Sequence, residues 1–450
     1  MPSGHRKGSL LAVSSSLPIN WDQVTEEATD ILCRYLAIDT SNPPGREEAA
    51  ARFLADILRR EGIEDIEFYD AGGEGRVSMS ARLPGDGSRR PLILLNHTDV
   101  VPAEASAWEE PPFSGVVKEG VIWGRGALDM KSMGVMELMA ALLMHRHRIP
   151  RRRDIVFLAV ADEETGSEYG IEFLDRNHPQ VLDAEYVLNE GGWGSTEAFG
   201  VRRPTFNCAV SEKGPLWLTL KAEGRSGHGS VPHGDNALER LVQALARIQA
   251  WERPTTILPE VELYFRRLHQ GGFLSEEPTA ASIEAMAQDN ILVQAITRDT
   301  ISITGCKAGY KHNVIPATAE ATLDCRLLPG NDPQAFVDQV KEIIDDPRVT
   351  VEQVFSSGTV ASSVQTELFG IVEEVARDHI EEALVLPSVS AGFTDSRAFR
   401  RRGITAYGLI PILLEPLEAA SIHGHNERIS VQNLRLGTQI LFEVVRRLCA

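Results

Sequence analysis

Cysteine is scarce in this chain: five of 450 residues, at positions 33, 208, 306, 325 and 449. No two form a CxxC pair, which excludes a cysteine-zinc knuckle and argues against a disulfide framework. Positive charge is in deficit too. Lys and Arg total 45 against 64 Asp and Glu, a net charge of −19. So acidic a chain is not a general binder of nucleic-acid backbones. Within that balance, the basic string HRHRIPRRRD at 145–154 reads as a solvated helix end. Apolar runs of 18 or more residues are missing, so no membrane span is expected. The first twenty residues lack a convincing signal-peptide core, because Ser14, Ser15 and Ser16 interrupt the apolar stretch; 1–20 read as a flexible leader. What remains is the profile of a soluble cytoplasmic protein, long enough to bury a full core without disulfide staples. Its surplus of carboxylates suits divalent cations.

The apolar pattern is that of an α/β protein. Trp21 to Leu36 and Glu47 to Glu61 have helical spacing, on either side of the turn SNPPG. Leu92–Leu95, Ile155–Val160 and Tyr186–Leu188 are short continuous apolar runs, as in strands covered on both faces. A helix over Met133 to His147 lies between the first two, and strand, helix, strand predicts a mostly parallel sheet flanked by helices. Near residue 211 the pattern changes. Leu216 to Ala222 and Ala319 to Arg326 alternate as half-buried strands, with a helix at Asn236 to Ala250. An α+β unit inserted into a split α/β domain follows. The predicted division is 1–20 leader, 21–211 first catalytic part, 212–328 inserted lid and dimerisation domain, and 329–450 second catalytic part. The stretch from 252 to 300 is longer and less regular than such a lid needs.

Chemistry gathers at the strand ends. The first apolar strand ends in Asn96-His97-Thr98-Asp99, the second in Asp162-Glu163-Glu164, and the third in Asn189-Glu190. Asp129 closes a glycine-containing loop before the next helix. Beyond the carboxyl ends of parallel strands these groups meet at one sheet edge. Several anionic groups in one place are unfavourable unless cations are bound. Imidazole plus carboxylate without thiolate suits zinc, with cobalt or manganese as alternatives. Two divalent ions carry four positive charges, and three ligand carboxylates plus a hydroxide balance them. Late in the chain, His423 and His425 offer a further imidazole. The methionines at 130, 133, 136 and 139 read as core packing rather than as a site.

These segments, in this order, resemble the M20 metallopeptidases of the aminoacylase, acetylornithine deacetylase, succinyl-diaminopimelate desuccinylase and carboxypeptidase G type. The resemblance runs from about residue 21 to 450. It rests on NHTDVVPA at 96–103, PPFSGVVKEGVIWGRGALDMK at 111–131, DEETGS at 162–167, NEGG at 189–192, SGHGSVPHGDNA at 226–237, HNVIPATAEATLDCR at 312–326 and HGHNERIS at 423–430. It implies two zinc ions, one held by His97 and Glu190, the other by Glu164 and His423, with Asp129 bridging. It implies a cis peptide bond after Asp129, and Asp99 orienting His97. Glu163 is implied as general base, taking a proton from water and passing it to the leaving amine. His228 is implied to reach the partner subunit's site in a homodimer formed by the lids. Asn313 and Arg326 are implied to contact substrate, the arginine favouring a substrate carboxylate, and Gly392 to lie in a loop near that carboxylate. Read without the resemblance, Arg326 makes a surface ion pair and His228 sits in a turn. One departure stands out: Asn96 occupies a position usually held by glycine.

The expected function is hydrolysis of an amide next to a free carboxylate, releasing an amino acid from an N-acyl amino acid. A dipeptidase or carboxypeptidase of the same family is the alternative, with a short peptide as substrate. A metal-stabilised binding module without turnover is the remoter one, and Glu163, which metal binding alone does not require, argues against it.

Overall fold

A computed structural model describes residues 18–73 and 75–450. The expected leader lies, up to residue 17, outside the described residues. An eight-stranded sheet forms the centre. Its order is Ile66–Asp70, Val77–Leu83, Ile155–Val160, Leu92–His97, Tyr186–Ser195, Thr405–Leu414, Thr205–Glu212 and Leu384–Ser390. The four middle strands, from Ile155–Val160 to Thr405–Leu414, are parallel neighbours. Leu92–His97 and Ile155–Val160 are buried at every position, which is why they read as unbroken apolar runs. Leu92 and Leu94 enter one core with the helices Trp21–Leu36, Glu48–Arg60, Lys131–Arg146, Glu367–His379 and Val431–Cys449. Ile93 and Leu95 enter the other, under Ile171–Asn177 and Ser396–Arg401. The methionines at 130, 133, 136 and 139 lie in the first core.

The inserted unit is a four-stranded antiparallel sheet, ordered Thr300–Ala308, Thr318–Leu327, Gly214–Glu223 and Val349–Ser356. The helices Ala237–Ala250 and Pro333–Ile344 cover one face. Alternate residues of Thr318–Leu327 are buried against them. The expected lid boundary at 328 is therefore too early. Val349–Ser356 pairs with Gly214–Glu223, and Phe336, Val337 and Val340 pack in the lid core. The chain leaves the large sheet at Lys213 and returns near Ser357. Those crossings are bonded to each other: Ser357 N donates to Pro215 O at 3.1 Å and Thr359 Oγ1 to Glu212 O at 2.7 Å. Only glycine fits at 214, where a Cβ would meet Ser357 O at 2.7 Å. The irregular stretch after 252 forms three helices, Pro259–Gln270, Ala280–Asp289 and Ile291–Thr297. Val261, Phe265 and Leu268 pack with Leu386 and Val389 of the sheet's edge strand, so the excursion covers that edge and is not part of the lid.

Asn96 has a structural reason. Its Nδ2 donates to Glu137 Oε2 at 2.8 Å inside the core, where both residues are fully buried. Burial holds the Glu137 carboxyl well above the usual carboxylate range, so it keeps its proton. A neutral acid brings an O–H to a pair whose other two oxygens, Asn96 Oδ1 and Glu137 Oε1, have no other partner. Glu137→Gln supplies the same donor and acceptor and is expected to cost less than about 1 kcal/mol in urea unfolding, whereas Glu137→Leu strands the amide and costs roughly 2–3 kcal/mol.

Candidate metal centre and active site

Parallel strands point their carboxyl ends the same way, so neighbours in the sheet deliver their last residues to one edge. His97 ends its strand opposite Val160, two residues before Asp162. Glu190 lies in Tyr186–Ser195, on the other side of the His97 strand. Asp129 comes from the loop between Val121–Trp123 and Lys131–Arg146, and the Asp129–Met130 peptide bond is cis. His423 comes from the loop before Arg428–Ser430, a strand that pairs with Val121–Trp123.

These five residues meet as two halves joined by one carboxylate. His97 Nε2 lies 3.0 Å from Asp129 Oδ1 and 3.4 Å from Glu190 Oε1. His423 Nε2 lies 3.0 Å from Asp129 Oδ2 and 3.2 Å from Glu164 Oε2. The donor atoms of His97, Asp129 and Glu164, and those of His97, Glu163 and Glu190, each gather within the reach of one ion. Both late histidines are exposed, and it is His423 whose Nε2 meets Asp129 and Glu164.

Asp99 organises the first half. His97 Nδ1 is 3.0 Å from the Asp99 carbonyl oxygen and 3.4 Å from its carboxylate. The same carboxylate accepts the backbone N–H groups of Glu163 and Glu164, both at 3.1 Å. Asn42 Nδ2 donates to it at 2.8 Å. One side chain thus fixes both the imidazole and the turn Glu163–Thr165. That turn is held from the far side as well. Arg397 Nη2 donates to Gly166 O and Ser167 Oγ, each at 3.0 Å, and Ser167 Oγ donates to Asp395 at 2.5 Å.

Glu427 joins the two loops. It is completely buried. Its oxygens accept the N–H groups of Gly126 at 3.1 Å, Leu128 at 2.7 Å and Asp129 at 3.0 Å, and Arg125 Nη1 lies at 2.6 Å. Arg125 Nη2 reaches back to Gly424 O at 2.8 Å. Sequence reasoning left Glu427, Asn42, Asp395 and Arg397 without roles. The only signal for Glu427 was its place four residues after His423.

The electrostatics of the cluster call for positive charge. Burial, then the Asp129 carboxylate, pushes Glu164 up to about 7 and Glu190 up to about 8. Burial works against the charged form of His97, but the carboxylates of Glu190, Asp129 and Asp99 outweigh it and hold the imidazole well above its usual value. Hydrogen bonds to Asp129 and Glu164 raise His423 to about 10. Glu163 is buried among Glu190, Asp395 and Glu164, and its carboxyl stands well above the usual range. Glu164 Oε1 is buried without a partner. An orphaned carboxylate oxygen among imidazoles and acids fits a divalent cation better than it fits any side chain present.

The remaining expected residues fall into two groups on the lid side. His228 pairs with Val314 in a two-stranded ladder. It is exposed and accepts from Ser230 at its Nδ1. Exposed Asn313 is beside it, its carbonyl accepting from Gly229 N at 2.9 Å. Arg326 lies on Thr318–Leu327, its Nε and Nη2 bonded to the Asp324 carboxylate at 2.8 and 3.0 Å. Exposed Gly392 precedes Phe393, whose ring centroid is 4.9 Å from Arg326 Cζ.

Comparison with known proteins agrees with this geometry. The model of peptidase family M20/M25/M40 matches residues 93–447. The N-fatty-acyl-amino acid synthase/hydrolase PM20D1 of Homo sapiens is 32% identical over 379 residues, 80% of this chain and 74% of its own. Aminoacylase-1A of Rattus norvegicus is 30% identical over 426 residues, 93% of this chain and 94% of its own. Among solved structures, the M20 family metallo-carboxypeptidase Sso-CP2 of Sulfolobus solfataricus superposes with a TM-score of 0.70 at 19% identity, covering 93% of this chain and 98% of that one. With a family model matched over most of its length and a sheet edge that assembles the family's motifs, the chain belongs to peptidase family M20/M25/M40 and is a hydrolytic enzyme.

Proposed function

We propose that the enzyme is an N-acyl-amino-acid deacylase that cleaves the amide beside a free carboxylate and releases the amino acid. The observation that carries this reading is the pair of imidazole–carboxylate halves joined through Asp129, with Glu163 next to Glu164 on one turn. The two sequence relatives described above act, by their names, on acyl amino acids. That favours the deacylase over the carboxypeptidase reading, whose support is a relative at 27% identity and a structural likeness at 19%.

In this reading His97, Glu190 and Asp129 would hold one zinc ion, and His423, Glu164 and Asp129 would hold the other. When bound, the pair supplies a Lewis acid for the amide carbonyl and acidity to a water. Asp99 fixes the His97 ring through its Nδ1, leaving Nε2 turned to the site. Glu163 takes a proton from the attacking water. It keeps that proton until the departing amine accepts it. Arg326, Asn313 and the Gly392 loop bind the substrate carboxylate. An arginine suits that task through paired hydrogen bonds. A homodimer joined by the lids would bring His228 of one subunit to the oxyanion in the other. The outer edge of the lid strand Thr300–Ala308 has no pairing among the described residues, which supports association there. We also place the enzyme in the cytoplasm, as all five cysteines are free.

Glu163→Gln is expected to retain both ions and to lower kcat by about 10²–10⁴-fold, measured on N-acyl amino acids with metal content checked by elemental analysis. Parent-like turnover would refute the role given to Glu163. Metal uptake should depend on pH. Below about 7 to 8, Glu164 and Glu190 hold protons in the ion-free protein, and both imidazoles are charged. An incoming ion must expel these protons, so zinc affinity rises with pH. Titration calorimetry should show at least about tenfold weaker binding at pH 6 than at pH 8, with protons released. The dimer is tested by mixing Glu163→Gln with His228→Ala, each inactive alone. After subunit exchange half the dimers are mixed and one site in each is intact, so about a quarter of parent activity returns. No recovery would place His228 outside the partner's site.

A further inference from the structure

Three aromatic side chains at the seam between lid and catalytic domain belong to no hydrophobic core. Trp217 and Phe355 stand on neighbouring lid strands, directly opposite each other, with centroids 5.0 Å apart. Phe393 comes from the catalytic loop after Leu384–Ser390. Its centroid is 6.4 Å from Trp217 and 6.1 Å from Phe355. All three are half-buried, and none appears among the residues of the four packed cores.

Their placement is specific. Leu216, Leu218 and Leu220 face the lid helices, so Trp217 belongs to the opposite face of the same strand, which carries no helix. A bulge between Gln353 and Phe355 sets Phe355 across from Trp217 and leaves Val354 exposed. The Phe355 ring borders Gly166, where a Cβ would lie 3.5 Å from it. Gly166 ends the turn that holds Glu163 and Glu164. On its other side the cluster meets Arg326 and Arg397, whose Cζ atoms lie 4.9 and 4.8 Å from the Phe393 centroid. Asp324 occupies the Nε–Nη2 edge of Arg326. A guanidinium has a second edge, Nη1–Nη2, which matches a carboxylate equally well.

An apolar wall between Arg326 and the turn that carries Glu163 is placed to meet a substrate side chain. The side chain of an amino acid branches from the atom next to its carboxylate. A carboxylate on Arg326 therefore brings that side chain, rather than the acyl group beyond the amide, against Phe393, Trp217 and Phe355. We propose that these three residues form the pocket for the side chain of the released amino acid, and that the enzyme selects apolar and aromatic side chains there. The inference rests on the amidohydrolase reading above and extends it to the amino acid. Two walls come from the lid and one from the catalytic domain, so the pocket is complete only when the two domains are docked.

The test compares kcat/KM of the zinc-loaded protein on N-acetyl and N-dodecanoyl derivatives of phenylalanine and of alanine. The parent should prefer phenylalanine by at least about tenfold within either acyl series. Trp217→Ala and Phe355→Ala should each shrink that preference at least about fivefold, and Trp217→Phe should preserve most of it. A merely structural role in lid docking would lower both substrates together and leave the ratio intact; that outcome overturns the pocket. Equal parent rates on phenylalanine and alanine derivatives overturn it too, while leaving the deacylase reading in place. No hydrolysis of any of the four compounds, with two ions bound, overturns the deacylase reading itself.

Discussion

The carboxylate of Glu427 sits in full burial and accepts three backbone N–H groups from the loop that carries Asp129. A buried carboxylate is costly unless its oxygens are saturated, and here Arg125 and those amides saturate them. The arrangement has a geometric result. The loop before Lys131–Arg146 and the loop after Pro416–Ala419 cannot shift independently, since Arg125 also holds the carbonyl of Gly424. Asp129 and His423 ride on these two loops. Their separation of 3.0 Å is thus set by a network that lies beneath the cluster and takes no part in it.

Asp99 plays the equivalent part on the sheet side, and the two devices share a logic. Each is an acid that spends its oxygens on backbone amides and side-chain donors, and so turns loops into fixed mounts. The reacting edge is left with groups whose charges are mutually unfavourable. Burial first, and then repulsion from the Asp129 carboxylate, raises Glu164 and Glu190. A rigid mount is what keeps these acids from swinging apart to relieve it, and it is also what prepares the cluster for cations.

How much of this was legible in the sequence follows from the type of signal each residue leaves. His97, Glu164 and Glu190 follow apolar runs, and a parallel sheet sends such ends to one edge, so strand pattern alone brought them together. Asp129 was legible as a loop residue between those strands, but its bridging role, and the choice of His423 over His425, needed family motifs, because loops carry no periodicity. Asn42, Asp395, Arg397 and Glu427 leave no such signal: a side chain that braces a loop or another side chain from behind has no characteristic spacing. The lid boundary failed for another reason. The helix Pro333–Ile344 and the strand Val349–Ser356 are amphipathic, and an amphipathic element fits either domain equally well until its pairing partner is known. The segment after 252 was ambiguous because its three helices are short, and their partner, Leu384–Ser390, lies far downstream in the sequence.

The insertion of the lid into the catalytic domain also bears on how the enzyme comes into being. His97, Asp129, Glu164 and Glu190 precede the lid in the chain, whereas His423 and Glu427 follow it, close to the end. The last helix, Val431–Cys449, packs in the same core as Lys131–Arg146. During synthesis the first four groups are therefore exposed together long before the fifth exists. The nascent chain must carry an unfinished cluster of acids, while an entire second domain is made and folded, before the loop that closes it leaves the ribosome.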